Sequence, residues 1–151
     1  MQSITAVVVP GHRVASGLNG DPRFPGGTLS MQQPHFLARG LELSGYHPGT
    51  LNLCIAPWQY QVVRAALTFP QVQWHPTEPA EDFSFFDCAL TFAGHEYVGL
   101  IYYPHPETKP EHFQAPDTLE MLSPKIAGLE YGSTVELRVD SAQMRFVGCN
   151  P

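Results

Sequence analysis

The sequence predicts a compact, mainly β protein: a β-barrel of six or more short strands, decorated by two or three small helices. Three observations carry that expectation. Fifteen prolines and thirteen glycines in 151 residues interrupt the chain too often for long helices and favour many short strands. Several segments alternate apolar and polar residues with a period of two, most clearly Thr134-Val135-Glu136-Leu137-Arg138-Val139 and Leu51-Asn52-Leu53-Cys54-Ile55. Long non-helical excursions join these segments, as in barrels whose loops do the binding.

In order, Met1–Val9 is a first buried strand, broken by Pro10-Gly11. Ser30-Met31-Gln32-Gln33 has the form of a capping box, and Pro34 falls in the first turn, where a missing N–H is tolerated. Phe36, Leu37, Leu41 and Leu43 then make an apolar stripe, with Gly45 as the stop. That helix delivers the chain to Tyr46–Ile55. Pro57 opens a second short helix, with Trp58, Val62, Val63 and Ala66 on one face, and Pro70 ends it. Val72, Trp74 and the run from Phe83 to Phe92 read as strands. Phe92-Ala93-Gly94-His95 is a hairpin turn, and Glu96 to Tyr103 returns to Pro104. The aromatic density of this hairpin reads as core. Asp117-Thr118-Leu119-Glu120 has a second capping-box pattern, Ser123–Gly128 a helical turn, and Met144–Val147 a last strand.

At this length the chain reads as one domain, 1–151, able to bury a sizeable core. The net charge of -6 argues against a nucleic-acid surface, because neutralising phosphates requires lysines and arginines that this chain lacks. An anionic ligand would need a local pocket of N–H groups, a metal or a few well-placed cations. Cys54, Cys88 and Cys149 are odd in number and lack a CxxC spacing, so they read as reduced thiols of a cytoplasmic protein. The first nine residues lack a basic leader region and are too short to span a membrane.

Thr50 and Asn52 are the residues on which chemistry turns. On a strand they point the same way, about 6.6 Å apart at Cα, so an oxygen from each can converge on a hard cation such as Mg²⁺. Spacing alone favours the plainer reading, a polar outer face of an edge strand. The long loop Pro10–Gly27 carries Arg13 and Arg23 among many glycines, and its N–H groups could cradle phosphate, although it is neither a P-loop nor a dinucleotide fingerprint. Seven scattered histidines, His12, His47, His95 and His105 among them, offer no zinc-hydrolase spacing.

At Tyr46-His47-Pro48-Gly49-Thr50-Leu51-Asn52-Leu53 the sequence resembles the archaeal CTP-dependent riboflavin kinases, whose signature is a Gly-Thr-Leu-Asn stretch. The order of other pieces agrees: the first strand and loop, Glu81-Asp82-Phe83, Thr108, Leu119–Pro124 and the closing Gly128–Leu137. The resemblance implies a six-stranded cradle-loop barrel that transfers the γ-phosphoryl of CTP, or of another nucleoside triphosphate, to the 5′-hydroxyl of riboflavin, giving FMN. It places Mg²⁺ on Thr50 and Asn52. The nucleotide falls on Gly11, His12, Arg13, Val14, Ala15 and Ser16, and on Lys125, Ile126, Ala127 and Gly128. The flavin falls on Thr108 and Glu120. No general base is assigned, with Asp82, Glu120 and a histidine as the available acceptors. The chain departs from the family in the first loop, where Gly11-His12-Arg13-Val14 has one glycine, and in the inserted Asn19–Gly27. These departures motivate a second reading, a non-catalytic flavin- or nucleotide-binding barrel.

Overall fold

The structure is a computed structural model that describes residues 2–10, 27–47, 49–108 and 115–148. Among them are nine strands and one helix: β1 (Gln2–Val9), α1 (Thr28–Ala38), β2 (Leu51–Cys54), β3 (Trp58–Val62), β4 (Leu67–Val72), β5 (Glu81–Phe92), β6 (His95–Pro104), β7 (Thr118–Leu122), β8 (Thr134–Val139) and β9 (Met144–Gly148). The mainly β expectation holds, and no helix among the described residues is long and apolar enough to cross a membrane. Six strands close into a ring, in the order β5-β6-β7-β2-β1-β8 and back to β5, with every pairing antiparallel. The twelve-residue β5 makes closure possible. Its last part pairs with β8 through Cys88–Thr91, while its first part also carries β4 on Phe83–Phe85. Strands β3 and β9 form a separate ribbon.

Period-two alternation sorts the side chains into two apolar layers. Ile4, Ala6, Val8, Leu53, Ile55, Phe86, Leu90, Ile101, Leu119, Met121, Val135 and Leu137 fill the inside of the ring. The opposite parity of the same strands, with Phe83, Phe85, Tyr102 and Leu122, builds a second cluster with Leu29 and Phe36 of α1. Phe36 sits at the middle of it, edge-on to Phe83 at 5.0 Å and to Phe85 at 5.2 Å. The helix therefore covers an outer face of the sheet. It buries Thr28, Leu29, Gln32 and Phe36, a stripe at helical spacing.

Six local expectations are corrected. The helix begins after Gly27, with no side-chain cap, so Ser30 lies inside it and Pro34 well past its first turn. It stops at Gly40, which takes φ +96° so that its N–H and that of Leu41 bond back to the last turn, well short of Gly45. Leu37 is 54% exposed and belongs to no stripe. The second helix is absent, because residues 58–62 pair along their whole length with β9 and residues 67–72 pair with β5. Trp58, Tyr60 and Val62 are aromatic and β-branched, and tertiary pairing overrides the helical spacing of their apolar positions. The capping box at Asp117–Glu120 is also absent, since Thr118–Leu122 is a strand held between β2 and β6. Residues 123–126 are irregular and lead to a turn at Ala127-Gly128, so no helical turn forms there.

Candidate functional site

The seam where β2 meets β7 gathers the polar residues that the sequence singled out. Leu53 and Ile55 face the ring interior, so Thr50, Asn52 and Cys54 face outward and are half-buried. On β7, Leu119 and Met121 face inward and Glu120 faces outward. The register sets Asn52 directly opposite Glu120, and directly opposed residues of an antiparallel pair share one face. Thr50 is the diagonal neighbour, and its hydroxyl donates to the Glu120 carboxylate at 3.0 Å. Three side-chain oxygen sources thus converge: a hydroxyl, an amide and a carboxylate.

Glu120 is only 8% exposed. Across its other edge it faces Tyr102, whose phenol donates to Gln32 Oε1 of α1 at 2.7 Å. Burial pushes the Tyr102 phenol well up, and the nearby Glu120 and Glu81 carboxylates add to the effect, while the bond to Gln32 opposes it. The phenol is thus a neutral donor in its working state. Tyr102 and Gln32 carry no motif in the sequence; only the β6–β7 register and the helix docking bring them here.

A donor set made wholly of oxygen suits a hard cation, and Mg²⁺ with several retained waters needs few protein ligands. Thr50, Asn52 and Glu120 fit that requirement. The half-buried positions of Thr50 and Asn52 leave room for waters on the outer side.

Next to this seam lies a pocket of about 210 Å³ lined by His47, Gly49, Leu51, Ser123, Pro124, Lys125, Ile126 and Leu129. The His47 N–H donates to the Ser123 carbonyl at 2.9 Å, joining the strand's approach to the segment after β7. Lys125 and Ile126, expected on the nucleotide side, therefore lie beside the Gly49-Thr50-Leu51 stretch. Gly128 follows at φ +79°, a conformation that favours glycine. His47 and Ser123 were not assigned to a ligand from sequence, although His47 stands inside the quoted signature.

Thr108 lies in the turn after β6. Its hydroxyl accepts the Asp82 N–H at 2.9 Å and donates to the His105 carbonyl at 3.2 Å, so it fastens the turn after β6 to the start of β5. Glu120, the other residue expected at the flavin, accepts a hydrogen bond from Thr50 across the β2–β7 seam. Gly11, His12, Arg13, Val14, Ala15 and Ser16 lie outside the described residues. Compared with known proteins, the chain matches no family model and no curated sequence.

Proposed function

We propose that this chain is a riboflavin kinase-like phosphotransferase that uses CTP, or another nucleoside triphosphate, and Mg²⁺ to make FMN, on a six-stranded cradle-loop barrel. The observation that carries the reading is the convergence of Thr50, Asn52 and Glu120 on one face of the β2–β7 seam, beside a pocket that holds Lys125. In the reaction the 5′-hydroxyl oxygen of riboflavin bonds to the γ-phosphorus and the bond from that phosphorus to the β–γ bridging oxygen breaks. The nucleoside diphosphate (CDP from CTP) leaves, and the hydroxyl proton is released to water, with no protein base assigned. Such a transfer needs mainly alignment and charge neutralisation.

Thr50 and Asn52 would hold the ion, which when bound neutralises phosphate charge. Glu120 orients the Thr50 hydroxyl and adds negative charge to the cation site. Lys125 contributes a cation at the pocket where the nucleotide's phosphates approach. The apolar Leu51, Ile126 and Leu129 give that pocket a wall against which a base or ribose can shed water. Thr108, fixed by its bonds to Asp82 and His105, stands as the flavin-side residue on resemblance alone.

The test is turnover of riboflavin with Mg²⁺ and each nucleoside triphosphate, followed as FMN by chromatography. FMN formation is expected. Asn52→Ala should cut it by at least tenfold while leaving the unfolding midpoint nearly unchanged, because a half-buried outward residue adds little to packing. Flavin or nucleotide binding by calorimetry without turnover would replace the kinase by a binding barrel. The departures in the first loop make that the second reading. Binding of neither would sink both.

A further inference from the structure

We propose that Asp82, His105 and Glu107 form a second metal site, for a divalent transition ion of the zinc class, at the end of the β5–β6 hairpin. One ligand atom from each lies within 4.8 Å of the others. Two donors bound tetrahedrally to one zinc at about 2.1 Å stand roughly 3.4 Å apart. His105 Nδ1 and Glu107 Oε1 are already 3.1 Å apart, and the Asp82 ligand atom lies within 4.8 Å of them. Closure around an ion calls for an approach of at most about 1.4 Å, towards which the 66% exposed Glu107 side chain can move.

The site is built before any ion arrives. The His105 N–H donates to the Asp82 carbonyl at 2.9 Å, and Thr108 bonds both residues. The backbone N–H of Gln71, at φ +52° in the irregularity of β4, donates to Asp82 Oδ1 at 2.7 Å and fixes that carboxylate. On the far side of the ring, His105 Nε2 is 2.6 Å from the hydroxyl of Ser84, which is only 4% exposed. With Nε2 donating to Ser84, Nδ1 is the nitrogen that faces Glu107, and a bound ion would displace the proton those two atoms share at 3.1 Å. The bond to Ser84 is the outer hydrogen bond that orients metal-ligating histidines. Tyr103, 5.3 Å away by ring centroids, packs beside the imidazole.

The donor set separates this site from the one at Thr50. A nitrogen donor with two carboxylates suits zinc, manganese or cobalt, whereas the all-oxygen set suits Mg²⁺. Three protein ligands leave a coordination position open, and the exposure of Glu107 turns that position to solvent. The proposal is independent of the kinase reading.

The experiment titrates the chelator-stripped full-length protein with Zn²⁺ by calorimetry and with Co²⁺ by visible absorption. One equivalent is expected at this site. His105→Ala and Asp82→Asn should each weaken zinc by more than tenfold, and Ser84→Ala by about tenfold as an outer partner. Asn52→Ala should bind zinc as the parent does. If His105→Ala or Asp82→Asn fails to fold, Glu107→Gln decides, because its exposed side chain lies in a turn. No zinc uptake by the parent, or parental affinity in folded variants of these three ligands, overturns the proposal.

Discussion

Gly99→Ala tests how the fold holds the site together. Gly99 is a buried residue of β6, and a methyl group there would meet the Leu122 carbonyl oxygen at 2.1 Å and Met121 Cε at 2.8 Å. The Met121 terminus can swing aside. The Leu122 oxygen cannot, because it belongs to β7, which is paired to β6 at Leu100. Ordinary contact begins near 3.4 Å, so β7 would have to withdraw by about 1.3 Å. Overpacking of this kind costs about 1–3 kcal/mol, and the alanine's reduced freedom in the unfolded chain returns only about 0.4–1. We expect a net loss of about 1–2 kcal/mol, a fall in Tm of about 2–8 °C for a chain of this size. Urea unfolding should show a lower midpoint with an unchanged slope. Because β7 carries Glu120 and runs directly into Ser123–Ile126, ligand affinity at the pocket should fall as well. A variant within 0.5 kcal/mol of the parent would refute the argument that β6 and β7 pack backbone to backbone at this point.

Phe36→Ala should cost about 3–5 kcal/mol, since it removes the fully buried ring around which Phe69, Phe83 and Phe85 are arranged. Urea unfolding measures it, and a loss under 1 kcal/mol would mean α1 is not seated on that face. Tyr60 predicts a pH dependence. Burial, then Tyr103 and then Glu120 push its phenol up to about 12 from an ordinary 10.0. The folded state thus holds the proton more tightly than the unfolded one, so this contribution is complete below pH 10 and is lost as pH rises towards 12. Tyr60→Phe should shallow the alkaline loss of stability between those values, though only in part, since Tyr102 and Tyr103 shift in the same direction. An unchanged slope would count against a desolvated Tyr60.

The strands were legible wherever one face of an alternating run is buried against the ring. Thr134–Val139 was bounded correctly from its pattern, because Val135, Leu137 and Val139 point inward without exception. The β5–β6 turn at Ala93-Gly94 was equally plain, and both residues take positive φ there. Failure came where two periods overlap. Trp58, Val62 and Val63 satisfy a helical spacing, and only the presence of β9, more than eighty residues later, makes strand the lower-energy answer. Asp117–Glu120 failed for a related reason. A capping box is a local pattern, whereas the pairing of Thr118–Leu122 with strands on both sides satisfies more backbone groups than one cap does.

The candidate site divides in the same way. That Thr50 and Asn52 share a face follows from the pleat alone, and Leu53 and Ile55 supply the parity that decides which face. What they meet there is a matter of register. Glu120 lies nearly seventy residues from Asn52, and a slip of one residue in the β2–β7 pairing would turn it into the ring interior. The same limit hid the second cluster. Asp82 and His105 are more than twenty residues apart, and they adjoin only because β5 and β6 run in step along ten consecutive pairs back from their turn. Ser84 and Tyr103 are themselves one of those pairs, so the serine that holds His105 is set by the hairpin's register rather than by any motif. Both candidate sites are therefore addressed by strand pairing. A substitution that displaces β7, as Gly99→Ala should, is expected to disturb the Thr50–Asn52–Glu120 grouping without changing any of its three residues.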